Sequence, residues 1–299
     1  MRKGRASLTS RGVMFWRATA TNSPYTRLFS DPVAERLLTP LGRFIVKSRL
    51  YHRLVLRALK RSRFLRVMVS VLFRARYAED KLVEAIAERG VRQYVILGAG
   101  WDSFAWRRED LLPKLKVFEL DHPDTQRAKR QRLSELNLAT PPNLTFVAID
   151  FNTQSLTECL LTNGFDPAVP TYVNWMGVTY YLPLPVVTGV FQELATLCRG
   201  GVEVAFDYVD VRRNKRRNQK TTDERPHRYW LEKVLHFGGE QFYTDFDPDK
   251  LAAWFAALDY RLVENVLGRQ QRDFLPAEEF GEFIPKGLLH VARVQHKAA

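Results

Sequence analysis

The stretch Tyr94-Val95-Ile96-Leu97-Gly98-Ala99-Gly100-Trp101-Asp102-Ser103, followed about twenty residues later by Val117-Phe118-Glu119-Leu120-Asp121, decides the fold. A short apolar run ending in Gly-x-Gly reads as a buried strand entering a sharp turn, and a second apolar run ends in acids. In an open α/β sheet this lets backbone lie against a nucleotide-like ligand while a carboxylate accepts ribose hydroxyls. Gly98 and Gly100 are the positions where a Cβ would collide. Alternation along the second strand puts Glu119 and Asp121 on one side, so either is placed to reach ribose.

The turn also discriminates between ligands. A dinucleotide site places a third Gly or Ala near position 103 and sets a pyrophosphate on the helix N-terminus. Here position 103 is Ser, and Asp102 would face that phosphate. A carboxylate beside a pyrophosphate is unfavourable, whereas beside an ammonium it is attractive. The residues therefore point away from NAD and toward S-adenosylmethionine, which has an ammonium and a sulfonium but no phosphate.

Downstream, the strand candidates are Lys116–Leu120, Leu144–Ile149, Thr171–Met176 and Val202–Val209, separated by helical stretches at Asp124–Leu136, Gln154–Leu161 and Pro185–Leu197. Strand and helix alternate, which predicts an α/β chain with a doubly wound, mostly parallel sheet. Tyr260–Val266 and Leu288–Val294 have no helix between them and are expected to pair antiparallel, completing seven strands. Val211–Lys220 is a polar, basic connector expected to lie exposed over the ligand side.

Upstream, Asp80–Arg89 reads as a helix closing at Gly90 and feeding the first strand. From Arg49 to Phe73 the pattern is helical and basic, with Arg49, Arg53 and Arg57 recurring on one side. Asp31-Pro32 opens a capped helix, and residues 1–30, without a clear period, are expected to form a partly irregular arm. The division expected is a basic N-terminal arm and helical lid over 1–78 and a catalytic domain over 79–299, forming one compact unit.

Composition sets the outer bounds. With 299 residues and 45% hydrophobic content the chain can bury a large core. Two separated cysteines, Cys159 and Cys198, predict neither a disulfide framework nor a thiolate metal site, and suggest a reducing, cytoplasmic compartment. No apolar run approaches the ~20 residues that span a bilayer, and the start lacks an apolar signal core. The formal charge is +13, and it is local: residues 1–76 hold 18 Lys and Arg against Asp31 and Glu35 alone, while the remainder is mildly acidic. That argues against a nucleic-acid binder as a whole. It suits an acidic substrate, an anionic membrane surface touched by the 49–73 helix, or simply a solvated lid. The histidines show no metal-ligand spacing, and no Gly-x-Ser-x-Gly elbow is present, so neither a metal centre nor a serine nucleophile is expected.

Several segments together carry a family resemblance. Phe73-Arg74-Ala75-Arg76-Tyr77-Ala78-Glu79-Asp80, Leu97–Arg107, Phe118-Glu119-Leu120-Asp121-His122-Pro123, Ile149-Asp150-Phe151 and Trp175-Met176-Gly177-Val178-Thr179-Tyr180-Tyr181-Leu182 resemble the leucine carboxyl methyltransferase family. Arg17-Ala18 and Asp31-Pro32 resemble its N-terminal signature, so the likeness covers about residues 11 to 210. The resemblance implies a class I, Rossmann-like methyltransferase using S-adenosylmethionine. It implies that Arg76 pairs with the cofactor carboxylate, that the Gly98/Gly100 turn underlies the methionine part, that Asp121 binds ribose, and that Asp150 and Phe151 flank the adenine. In the fourth-strand block, the phosphatase methyltransferases of the family carry Glu where this chain has Met176. The form seen here resembles instead the large bacterial branch, whose substrates are mostly undefined.

Methyl transfer from a sulfonium is an in-line displacement, so a carboxylate nucleophile needs no base, whereas a hydroxyl benefits from one. Tyr180, Tyr181, His227 and His236 are the candidates on the expected acceptor side. Two readings from other classes compete: an NAD(P)-dependent oxidoreductase, and a catalytically silent cofactor-binding protein whose basic layer holds membrane or nucleic acid.

Overall fold

The computed structural model describes residues 7–23, 28–61, 65–211, 242–274 and 289–296. Its strands are β1 (Gln93–Leu97), β2 (Lys116–Asp121), β3 (Leu144–Ala148), β4 (Thr171–Trp175), β5 (Val202–Val209), β6 (Arg261–Val266) and β7 (Leu289–His296). They form one seven-stranded sheet in the order β3-β2-β1-β4-β5-β7-β6. The first five are parallel, and β7 runs antiparallel to both β5 and β6.

The central strands are apolar on both sides because both faces are covered. Along β1, Tyr94 and Ile96 enter one core and Val95 and Leu97 the other. The first core is closed by α1 (Leu8–Thr21) and α5 (Leu65–Arg89). The second is closed by α8 (Leu156–Thr162), α9 (Leu184–Leu197) and α10 (Leu251–Ala256). The remaining helices are α2 (Pro32–Leu37), α3 (Pro40–Lys47), α4 (Arg49–Arg61), α6 (Phe104–Arg107) and α7 (Pro123–Glu135), of which α2, α3 and α7 pack with α1 in a third apolar cluster. Chain order reverses between β1 and β4, and at such a switch point a crevice opens beyond the carboxyl ends of the strands.

The N-terminal region departs from expectation. Within the arm expected to be partly irregular over residues 1–30, residues 8–21 form a helix, capped where Ser7 Oγ accepts from the Ser10 N–H at 3.1 Å. Its buried face includes Arg17 and Thr19 beside Met14, Trp16, Ala18 and Ala20, so polar residues interrupt the apolar period that would have revealed it. The region from Arg49 to Phe73 is two helices, and α5 continues through Asp80–Arg89 as one 25-residue helix. Val69, Leu72, Phe73, Tyr77, Leu82, Ala85 and Ile86 of α5 enter a single core. The boundary expected at residues 78 and 79 therefore falls inside a continuous helix. Most of the connector Val211–Lys220, together with His227 and His236, lies outside the described residues.

Candidate active site

A cavity of about 500 Å³ lies over the carboxyl ends of β1 to β4 and is walled on its other side by α1 and α5. Gly98, Gly100, Asp102, Asp121, Asp150 and Phe151 all line it. Arg76 and Glu119 do not.

The turn after β1 is held from inside the protein. Gly98 has φ +69° and Gly100 φ +56°, the left-handed region that favours glycine. A Cβ on Gly98 would meet Val178 Cγ2 at 2.3 Å, and one on Gly100 would meet Ser10 Cβ at 3.0 Å. The glycines thus make room for the block after β4 and for α1, in addition to lining the cavity. Asp121, at the end of β2, ties the turn down: Oδ2 accepts from the Gly100 N–H and Oδ1 accepts from the His122 N–H at 2.6 Å. Burial pushes its carboxyl above the ordinary range, against the lowering effect of those two N–H groups.

Glu119 shares Asp121's side of β2 but sits two residues, roughly 7 Å, further back along the strand. There α7 covers it, and it is buried in an ion pair with the equally buried Lys129. Burial and the neighbouring Asp102 and Asp121 push its carboxyl up to about 7 although Lys129 opposes them. Alternation alone could not separate the two acids; the distance to the strand end does.

Asp102 lines the cavity with both oxygens engaged. Oδ1 accepts from the Phe104 N–H at 2.7 Å and Oδ2 from Arg17 Nη1 at 3.1 Å. Burial raises its pKa, but Arg17, Lys129 and Arg107 outweigh burial and hold the carboxyl below its usual range. Arg17 also bridges to Asp31, whose Oδ2 accepts from Ser103 Oγ at 2.6 Å and whose Oδ1 caps α2. The N-terminal signature residues Arg17 and Asp31 are therefore the clamp that fixes α1 and α2 to the turn.

On α5 the structure brings Arg74 into the cavity wall and leaves Arg76 outside, paired with Asp80 one turn on at 2.6 Å with both side chains partly exposed. Residues two apart on a helix point about 200° apart, so only one of the pair can face the sheet. Buried Arg74 donates from Nη1 to Asp207 at 2.7 Å and to the Tyr180 hydroxyl at 3.0 Å. Burial would lower its pKa, but Tyr180 and Asp207 raise it, so the guanidinium is fixed as a cation. The other Asp207 oxygen accepts from the Gly177 N–H at 2.6 Å, locking the turn after β4 to β5. The i+4 spacing of Asp80 from Arg76, against Ala78 from Arg74, is a sequence signal that could have separated the two arginines.

Asp150 accepts at Oδ1 from the backbone and side-chain amides of Asn152, both at 3.0 Å, and these outweigh a burial effect to hold its pKa below the ordinary value. Phe151 lies beside Trp175, ring centroids 6.5 Å apart, and packs on the second core. Asn174 near the end of β4 donates to Tyr94 at 2.9 Å, while its buried Oδ1 has no donor among the described residues. Arg17, Arg74 and Asn174 also line the cavity, and the site reading from sequence did not include them.

These residues fit S-adenosylmethionine and not a pyrophosphate. The N-terminus of α6 is already occupied by the Asp102 carboxylate, so an anion placed there meets a fixed negative charge. The cavity offers instead a strand-end carboxylate at Asp121 and buried guanidinium groups at Arg17 and Arg74. That donor set matches ribose hydroxyls and a carboxylate.

A sequence model of the leucine carboxyl methyltransferase family matches residues 10–195. The "Putative S-adenosyl-L-methionine-dependent methyltransferase YktD" of Bacillus subtilis is 31% identical over 224 residues, 70% of this chain and 73% of that protein. A protein of Mycobacterium avium whose name assigns it the same activity is 31% identical over 199 residues, 64% of this chain and 63% of its own length. In fold, the chain is similar to a DUF574 family protein of Streptomyces avermitilis, with a TM-score of 0.57, 13% identity and 93% and 99% of the two chains covered. A methyltransferase structure from Thermobifida fusca, also described as putative, gives a TM-score of 0.55, 16% identity and coverage of 99% and 97%. The family match spans more than half of the chain and takes in the turn, the acids and Arg74 alike: the chain belongs to the leucine carboxyl methyltransferase family, with S-adenosylmethionine as its methyl donor.

Proposed function

We propose that the enzyme methylates an oxygen, a carboxylate or hydroxyl of a small molecule or peptide. The observation that supports this is the state of the cavity's acids. Among the described residues four carboxylates line it, and each is already engaged: Glu79 by Arg107 and Arg108, Asp102 by Arg17 and the Phe104 N–H, Asp121 by two backbone N–H groups, and Asp150 by Asn152. An ammonium acceptor must lose a proton before it can attack, and these groups are poor bases for that. A carboxylate arrives already nucleophilic.

When bound, the cofactor supplies an electrophilic methyl group on a sulfonium. The protein's part is placement. In this reading Asp121 accepts the ribose hydroxyls, Arg74 meets the cofactor carboxylate from its fixed position against Asp207, and Asp150 and Phe151 flank the adenine. The acceptor enters beyond β4, where Val71, Met176, Tyr180, Tyr181, Leu182 and Tyr243 line an apolar and tyrosyl wall. Tyr180 is held there by Arg74, and its ring meets that of Tyr181 at 4.7 Å. Such a wall suits an uncharged organic body carrying the reacting oxygen.

The test is transfer of labelled methyl from S-adenosylmethionine into fractionated metabolites and peptides of the source organism. A methyl ester releases its label as methanol in mild alkali, and a methyl ether is stable but remains on oxygen. Label found on nitrogen or sulfur would overturn the proposal.

A further inference from the structure

The N-terminal layer turns a second face to solvent that the cavity does not use. α3 and α4 are joined through Ser48 alone. On α4, Tyr51 points inward, its hydroxyl 3.2 Å from Thr19 Oγ1 and its ring edge-on to Phe15, and Val55 packs on the core one turn later. At about 100° per residue, Leu50 and Leu54 then form a neighbouring row, and Arg49, Arg53 and Arg57 form the row beyond it. The exposures agree: Leu50 is 60% and Leu54 54% accessible, and on α3 Leu41 reaches 68% and Phe44 74%. Four of the six most exposed large hydrophobic residues among those described thus fall within fourteen residues of chain. Among the described residues, Arg49, Arg53 and Arg57 have no ion-pair partner. From Arg36 to Ala78 the sequence holds 12 Lys and Arg and no acid.

We infer that the outward face of α3 and α4 docks the enzyme on an anionic phospholipid bilayer. An interfacial helix combines these two features: apolar side chains enter the acyl boundary while flanking guanidiniums meet lipid phosphates. A second copy of the chain is a poor occupant, since this face would bring two acid-free basic surfaces together. A nucleic acid would use the arginines but gains nothing from Leu41, Leu50 and Leu54. None of the helices searched among the described residues is long and apolar enough to cross a membrane, and the contact inferred here is a peripheral one. α1 lies between this face and the cavity, with Phe15 and Thr19 against α4 and Ser10, Met14 and Arg17 on the cavity wall. Docking therefore sets the cavity one helix away from the bilayer.

Cosedimentation of the full chain with vesicles of phosphatidylcholine, with or without phosphatidylglycerol, tests the inference. The enzyme should bind the phosphatidylglycerol vesicles, less at high salt, and not the neutral ones. Phe44→Ser with Leu50→Ser should weaken binding on the order of a hundredfold, from the apolar area returned to water. Each of Arg49→Gln, Arg53→Gln and Arg57→Gln should weaken it about fivefold. Val83→Ser, on the distant exposed part of α5, should leave it unchanged and serves as the surface control. A thermal shift with S-adenosylhomocysteine identifies folded variants, and the arginine series carries the test if the double variant loses it. No binding to phosphatidylglycerol vesicles, equal binding to neutral ones, or full binding by folded Phe44→Ser/Leu50→Ser would overturn the inference. So would capture of duplex RNA or DNA in preference to vesicles, or a dimer that the double variant abolishes.

Discussion

The N-terminal layer has two sides built from the same basic sequence, and they obey different physics. On the inner side Arg17 and Arg74 are buried and each is fixed against a carboxylate, Asp102 and Asp207 respectively. On the outer side Arg49, Arg53 and Arg57 stand in solvent beside exposed leucines. Net charge counts these residues alike. Their energetic consequences differ because a buried charge must be paired to exist, while a solvated one loses little when removed. The inner arginines position the site, and the outer ones are free to meet a partner.

The sharpest way to break that distinction is Arg74→Met. It leaves Asp207 buried without its cation, and removing one partner of a buried pair costs about 3–5 kcal/mol. Denaturant unfolding should show a loss of that size, and the thermal shift with S-adenosylhomocysteine should vanish. Arg74→Lys keeps the charge but not the planar fork, so it should regain stability ahead of binding. A loss under 1 kcal/mol for Arg74→Met would mean that the inner side is no more demanding than the outer.

Gly98→Ala comes next. The φ of +69° and the 2.3 Å approach to Val178 both resist a Cβ, one through backbone strain and one through overpacking. Together they should cost about 2–4 kcal/mol. Pairing it with Val178→Ala relieves only the second effect, so a double-mutant cycle should recover roughly half of the loss. Full recovery would show that the glycine is there for space alone.

Asp121→Asn keeps the shape but replaces one acceptor oxygen with a donor facing a backbone N–H. S-adenosylhomocysteine titrated by calorimetry should bind about 10- to 100-fold more weakly, in line with ~1–3 kcal/mol for an unsatisfied buried group. Glu119→Gln, two residues back and shielded by Lys129, should change stability more than affinity. The reverse pattern would return the ribose role to Glu119.

The sheet was legible because its signals are local and redundant. β1 and β5 are mostly apolar and buried throughout, α7 begins at Pro123 and α8 is capped by Ser155, and two C-terminal strands without a crossover helix were expected to pair antiparallel, as they do. Positions at strand ends were equally clear, since Gly98, Gly100, Asp121 and Asp150 reach the cavity wherever the strands stop. What stayed hidden depends on which face of a helix meets the sheet. Arg17 disguised α1 by placing a charge on its buried side, and Arg74 and Arg76 stand about 80° to either side of a wheel centred on Phe73 and Tyr77, so the wheel does not separate them. Glu119 and Asp121 posed a related problem, because period two fixes the side of a strand but not the depth.

The two arginines of α5 supply the most economical test. Arg76 holds Asp80 across one exposed helical turn, the geometry in which a salt bridge contributes about 0.3–0.5 kcal/mol and is screened by salt. Arg76→Ala should therefore leave S-adenosylhomocysteine affinity within twofold and stability within ~0.5 kcal/mol, measured beside Arg74→Met under identical conditions. The family motif contains both residues and assigns the cofactor carboxylate to one of them by position. If the cavity lining is the better guide, the effect on affinity belongs to Arg74 alone. A loss in Arg76→Ala as large as in Arg74→Met would mean that α5 rotates or bends on ligand binding, and that the clamp between Arg74, Asp207 and Gly177 opens to let it.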